Sequence, residues 1–303
     1  MGGVHAAGVA NTFSPSWSEY LPIRGVNYHI RQWGRAGAPK VFLFHGWMDS
    51  SVTWQFVVDE ILAKDSNWHF IAPDWSGYGH SEPRPGGSMF IGFLGDMEQV
   101  IRHYAPTETL KIIAHSMGAN LSSIYASARA ERVSHFVNLE GLAPMPGGEF
   151  GKPLHYQVAR WLNGSRGRTR AYSSREAFVE RLTQQNPRLS QTRAAFLAEH
   201  FLQADEEGGF VPRAEVEARQ VAPIYPHPEQ VKELLRHISA KVLVVRGTDS
   251  FVSECFAGHD DVLAERLACY QHRSDLVLQG ASHNMHQEFP AEVAQASLAL
   301  FAR

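Results

Sequence analysis

The chain has 303 residues, 44% of them hydrophobic, and a formal net charge of -3, enough for one large α/β domain with an insertion or for two smaller domains. A nearly balanced charge without a long basic run excludes a nucleic-acid partner from the expectations. Two cysteines, Cys255 and Cys269, are too few for a disulfide framework, and no CxxC pair starts a zinc site.

Residues 1–17 are rich in Gly, Ala and Ser and lack the basic and apolar regions of a signal peptide. No apolar stretch reaches the ~18 residues that span a bilayer, so the chain reads as soluble and cytoplasmic, with no membrane span. Val26 to Trp33 alternates like an early antiparallel strand. Short apolar runs then recur at Val41–Phe44, His69–Ala72, Leu110–Ala114, His135–Leu139, Val242–Val245 and Asp275–Leu278. Such runs fit strands of a parallel sheet covered on both faces. Phe90–Tyr104 and Gly118–Arg129 are long enough for crossover helices. From Pro144 to Ile238 no strand-like run occurs, and helical patterns take over at Leu154–Leu162, Ser174–Gln184, Gln191–Leu202 and Pro228–Ile238. Ser173-Ser174-Arg175-Glu176 fits an N-cap entry with acid in the first turn. The expected division is a core of residues 1–143 and 239–303 with a helical insertion at 144–238, placed to lie over the carboxyl ends of the strands.

The polar residues that close these strands carry the chemistry. Ala114-His115-Ser116-Met117-Gly118 stands between an apolar strand and a helix start rich in small residues. A sharp strand-turn-helix forces its central residue into a strained backbone and lifts the side chain clear of the sheet. This is the nucleophile-elbow pattern G-x-S-x-G, with Ala114 in place of the first glycine; a serine capping the helix is the competing reading. In Phe44-His45-Gly46-Trp47, a glycine after a buried strand lets the backbone turn its amides inward. The N–H groups of Trp47 and Met117 then form a two-donor oxyanion hole, and His45 reads as structural. His283 follows the last strand, giving the order nucleophile first and histidine last. His286, nearer the closing helix, reads as packing or capping.

Taken together these residues resemble the α/β-hydrolase superfamily. His45-Gly46, Pro73-Asp74 with Gly77-Tyr78-Gly79-His80-Ser81, the Ser116 elbow and His283 fall in that family's order. The resemblance implies an α/β-hydrolase fold: an eight-stranded, mostly parallel sheet with helices on both faces and 144–238 as a helical cap. It also implies a structural loop around Asp74 and Ser81. Nothing in the spacing of the 16 histidines points to a metal, and no cofactor is expected.

Two carboxylates compete to orient His283. Asp249 follows Val242–Val245 at the usual family location, but the common G-x-x-D spacing lands on Ser250, so Asp249 is one residue early. Glu140 follows His135–Leu139, where some family members, including many haloalkane dehalogenases, carry the acid. Glu140 is preferred and Asp249 kept open.

The expected activity is hydrolysis of a small-molecule carboxylic ester through an acyl-enzyme on Ser116. A serine at the elbow argues against dehalogenase or epoxide hydrolase chemistry, for which related members use aspartate. A C–C bond hydrolase, a thioesterase or a cofactor-free haloperoxidase would share the same triad. A non-catalytic ligand receptor is the reading of a different class. Trp47, Met145, Trp161 and Met285 are candidates to line an apolar acyl pocket, with core packing as the alternative. Arg160, Arg166, Arg168 and Arg170 suit an acidic substrate or a solvated basic face. Assembly as a homodimer is left open.

Overall fold

The computed structural model describes residues 13–148, 151–163, 171–206, 208–214 and 226–303. Eight strands form one sheet: β1 (Ser16–Ile23), β2 (Val26–Gly34), β3 (Lys40–Phe44), β4 (His69–Pro73), β5 (Leu110–His115), β6 (Val133–Leu139), β9 (Lys241–Gly247) and β10 (His272–Leu278). Their order is β1-β2-β4-β3-β5-β6-β9-β10. The β1–β2 and β2–β4 pairs are antiparallel and the remainder parallel. Two shorter strands, β7 (Leu202–Ala204) and β8 (Phe210–Pro212), make a separate antiparallel pair.

The continuous apolar runs have a direct cause. Alternate residues of each central strand feed two cores, one on each face of the sheet. Phe42, Phe44, Ile112, Ala114, Phe136, Val242 and Val244 pack on one side. Val41, Leu43, Ile113, Val137, Leu139, Leu243 and Val245 pack on the other. The second face is covered by α1 (Gln55–Leu62) and by the closing helix, which bury Val57, Val58, Ile61, Val293, Ala294 and Leu300. The first is covered by α2 (Gly92–Tyr104) and α3 (Ser116–Ala128), through Met97, Val100, Ile101, Leu121 and Tyr125.

After β6 the chain passes through α4 (Leu154–Asn163), α5 (Arg175–Gln185) and α6 (Gln191–Phe201). Ser174 and Ser190 cap α5 and α6 by accepting from the backbone N–H groups of Ala177 and Arg193. No residue of α4 is buried. The β7–β8 hairpin was not expected, because three-residue strands are too short to show an alternation. β1 was also missed. It is an edge strand whose burial is confined to Leu21 and Ile23, so its sequence lacks an apolar run. Helix α7 (Pro228–Arg236) departs from the expected division: it packs against α3, and Leu235 and Ile238 join the core with Phe136 and Val242. The remaining helices are α8 (Phe251–Phe256), α9 (Asp260–Leu267), α10 (Met285–Glu288) and α11 (Pro290–Phe301). Among the described residues no helix is long and apolar enough to cross a membrane.

Candidate active site

Strand β5 ends at His115 and α3 begins at Ser116 with no intervening loop. Such a turn requires a left-handed residue at the junction, and Ser116 has φ of +51°. A non-glycine residue held there costs of order 1–3 kcal/mol, and strain of this kind clusters at functional sites. Gly118 is required by contact: a Cβ would lie 2.4 Å from the carbonyl oxygen of Phe44 and 2.6 Å from that of His45. Ala114, at the first glycine position of the pattern, pairs with Phe44 and Asn138, and its methyl is absorbed into the core. Asn120, one turn into α3, donates to the Ser116 carbonyl at 3.0 Å and accepts from the Ala143 N–H at 3.0 Å.

The loop after β3 lies against this elbow. A Cβ on Gly46 would stand 3.2 Å from the Ser116 Cβ, so only glycine lets the loop approach so closely. Met48 takes φ of +57° as the chain turns away. Met117 sits in the first turn of α3, where a backbone N–H has no helical acceptor. Trp47 is half-exposed at the tip. His45 is wholly buried, donates through Nδ1 to the Gly46 carbonyl at 2.8 Å and accepts the Trp75 N–H at Nε2 at 3.0 Å. Burial lowers its pKa, as suits a neutral structural histidine. Asp74 is equally structural: it accepts from His29 (2.8 Å), the Ser51 N–H (2.6 Å) and the His80 N–H (2.9 Å). Its burial alone would raise the pKa, but the His29 bond and charge lead the effects that hold it well below the usual carboxylate range.

Glu140, the residue after β6, has φ of +55°, a second strained residue at a strand end. Its carboxylate is buried and accepts three hydrogen bonds. Oε1 takes the Gly247 N–H at 2.8 Å, while Oε2 takes the Ser250 hydroxyl at 2.5 Å and His283 Nδ1 at 2.7 Å. With a proton fixed on Nδ1 by the carboxylate, Nε2 of a neutral His283 carries the free lone pair. Asp249 is elsewhere. Its carboxylate is more than half exposed, accepts from Thr248 at 3.1 Å and faces Arg188 at 3.7 Å. The physical reason is the register of the β9 turn. The G-x-x-D slot is occupied by Ser250, whose hydroxyl points inward to Glu140, and Asp249 one residue earlier points out to Arg188.

The His283 ring lies 4.6 Å from the His115 ring and 4.5 Å from that of Phe251. His115 also ties the loop to the elbow, donating through Nε2 to the His283 carbonyl at 2.8 Å. The sequence did not reveal Ser250 as a partner of Glu140, nor Phe251 and His115 as neighbours of His283. His115 was visible beside Ser116, but nothing local shows that its ring reaches a loop 168 positions away.

Of the proposed pocket residues, Met285 is wholly buried in the core beside Trp54 and Val293, and Met145 is buried in the opposite cluster. Both therefore pack the interior. Trp161 is exposed on α4, along with Arg160, whereas Arg166, Arg168 and Arg170 lie outside the described residues. An apolar cavity that the sequence did not suggest opens beside α3, lined by Phe90, Asn120, Ile124, Leu142, Val231 and Leu235. His286 is wholly buried, and with Asp49 and His115 it forms a cluster of ligand-capable atoms within 4.8 Å of one another. Residue spacing could not show this, since a loop, a strand end and a short helix far apart in the chain supply it.

A family model described as alpha/beta hydrolase fold matches residues 39–253. A serine hydrolase-like protein of Danio rerio is 28% identical over 237 residues, covering 76% of this chain and 71% of the relative. A thioesterase domain from the curacin biosynthetic pathway superposes with a TM-score of 0.78 at 23% identity, over 94% of this chain and 99% of that one. An esterase from M. tuberculosis does so with a TM-score of 0.76 at 17% identity, over 98% and 94%.

Proposed function

The chain belongs to the α/β-hydrolase fold family, and from that premise we propose that it hydrolyses a carboxylic ester through Ser116, His283 and Glu140. The observation that carries the reading is the 2.7 Å bond from His283 Nδ1 to a buried Glu140, in a chain whose Ser116 is held at φ of +51° on the elbow.

In the first step His283 Nε2 takes the Ser116 hydroxyl proton as Oγ attacks the acyl carbon. Glu140 keeps the imidazole in the right tautomer and stabilises the imidazolium. The N–H groups of Trp47 and Met117 receive the charge that develops on the carbonyl oxygen. Collapse of the tetrahedral intermediate breaks the bond to the alcohol, which leaves with the proton from His283. Water, deprotonated by His283, then attacks the acyl-enzyme, and the carboxylic acid departs as Ser116 regains its proton.

A thioester is the second reading, favoured by the likeness to the thioesterase domain. It uses the same steps with a thiol as leaving group. Matched p-nitrophenyl esters and acyl thioesters of increasing chain length separate the two. The proposal expects ester turnover that vanishes in Ser116→Ala; turnover confined to thioesters would establish the second reading, and turnover of neither by folded protein would reject both.

A further inference from the structure

Behind His283 lies a buried group of side chains that ester hydrolysis does not use. Asp49, from the loop after β3, His115, from the end of β5, and His286, from α10, converge there. His115 and His286 are 3% and 0% exposed and Asp49 is 8% exposed.

The hydrogen bonds of His115 define its tautomer. Nε2 lies 2.8 Å from the carbonyl oxygen of His283, which can only accept, so Nε2 carries the proton. The ring lies between those of His286 and His283, with centroids 4.4 and 4.6 Å away. Its Nδ1 is then a bare lone pair. Among the described residues that atom is buried without a hydrogen-bond partner, and it faces the Asp49 carboxylate at 4.0 Å. A lone pair turned toward a carboxylate in the interior is repulsive unless something positive or proton-donating stands between them. Gly46 keeps that side open, since a Cβ there would lie 2.8 Å from His115 Nδ1.

The other two groups complete a donor set. Asp49 accepts from its own loop, the Ser50 N–H at 2.8 Å and the Thr53 hydroxyl at 3.1 Å. Among the described residues it has no Lys or Arg ion pair, and its charged-group neighbours are His115 and His286. His286 Nε2 stands 3.4 Å from Asp49 Oδ2. Two ligands held at ordinary zinc distances in a tetrahedral site are separated by ~3.3 Å. The Asp49 pairs stand at 3.4 and 4.0 Å, and all three ligand atoms lie within 4.8 Å of one another, so the set must draw inward to hold one ion. The proton on His115 Nε2, given to a backbone carbonyl, is the outer-shell arrangement that metal-ligating histidines commonly adopt.

We propose that Asp49, His115 and His286 form a binding site for one divalent transition-metal cation, of the borderline class that two imidazoles and one carboxylate select. The ion bridges His115 Nδ1 and Asp49 and displaces no bond that His283 makes to Glu140. Its effect on turnover rests on the function proposed above. A dication beside the His283 ring opposes formation of the imidazolium, so occupancy inhibits hydrolysis.

The test is a titration of chelator-treated full-length protein with Co2+, followed by visible ligand-field absorption, and with Zn2+ by calorimetry. The expected result is one equivalent bound, with affinity weakened by roughly a hundredfold or more in Asp49→Asn and in His286→Gln. Absence of the absorption band and of heat in wild type overturns the proposal. Equal binding by either folded variant also overturns it, assigning the ion to surface histidines. If one variant does not fold, the other variant and the wild-type titration decide. Labelling of Ser116 by a fluorophosphonate in metal-free protein reports separately on the hydrolase reading: labelling without Co2+ binding removes only the metal site, and Co2+ binding without labelling removes only the hydrolase.

Discussion

Glu140→Gln removes one charge and changes almost no volume, which makes it the sharpest probe of the acid. The carboxylate accepts three hydrogen bonds and donates none. An amide cannot reproduce that pattern. With its oxygen toward Ser250 and His283, its NH2 meets the Gly247 N–H, donor against donor. That unsatisfied pair costs about 1–3 kcal/mol of stability. With the amide reversed, NH2 faces His283 Nδ1 and forces the proton to Nε2, where the ring can no longer accept from Ser116. Either way the imidazolium loses its buried counter-charge. Neutralising the acid of a serine triad while keeping its shape costs roughly 10⁴ in kcat, or ~5.5 kcal/mol of barrier. The assay is steady-state turnover of a short p-nitrophenyl ester, with circular dichroism confirming the fold. Asp249→Asn is the control. Its carboxylate is more than half exposed and 3.7 Å from Arg188, an arrangement worth little, so kcat is expected to stay within about twofold. Turnover abolished by Asp249→Asn and retained by Glu140→Gln would refute the reasoning.

Further consequences follow from the same contacts. Ser250→Ala deletes the 2.5 Å bond to Glu140 and is expected to lower stability by about 1.5–3 kcal/mol and kcat roughly tenfold, read by urea denaturation and ester kinetics. Glu140→Ala combined with Ser250→Asp moves the acid to the β9 turn and is expected to recover at least about tenfold in kcat over Glu140→Ala alone; no recovery would show that this turn cannot present a carboxylate to His283. Gly118→Ala drives a methyl into the Phe44 carbonyl and is expected to cost about 1–3 kcal/mol or more, visible as a lower Tm. Burial lowers the pKa of His45 and His115; burial first, then Arg213 for His80 and Arg31 for His200, lowers those two to about 4. In the unfolded chain these histidines protonate near pH ~6.5. The unfolded state therefore binds more protons below that pH, and stability falls as pH drops from about 6.5 toward 4; an unchanged urea midpoint between about pH 7.5 and 5 would contradict it.

What the sequence made legible follows from where information is local. The central strands were readable because residues of β3, β5, β6 and β9 feed cores on both faces and must be apolar throughout. The elbow was readable because its five residues are contiguous across the junction of β5 and α3, although the contact that demands Gly118 comes from the distant Phe44 and His45 carbonyls. Edge strand β1, mostly exposed, left no such run. The choice between Glu140 and Asp249 was not local, because it depends on which way the β9 turn directs consecutive residues. The pocket residues fared similarly: Met285 and Trp161 have pocket-like chemistry, but one is wholly buried in the core and the other lies on the surface of α4. Likewise His115, His286 and Asp49 meet only through the fold, so spacing carried no sign of their cluster.

The central claim is that Ser116 is a nucleophile activated by His283. Its most direct test is reaction of the full-length protein with a fluorophosphonate, followed by mass analysis of the peptide containing Ser116. The account predicts one stoichiometric adduct on Ser116, absent in Ser116→Ala and strongly slowed in His283→Ala. Failure of folded wild-type protein to react, or an adduct on a different residue, would contradict it.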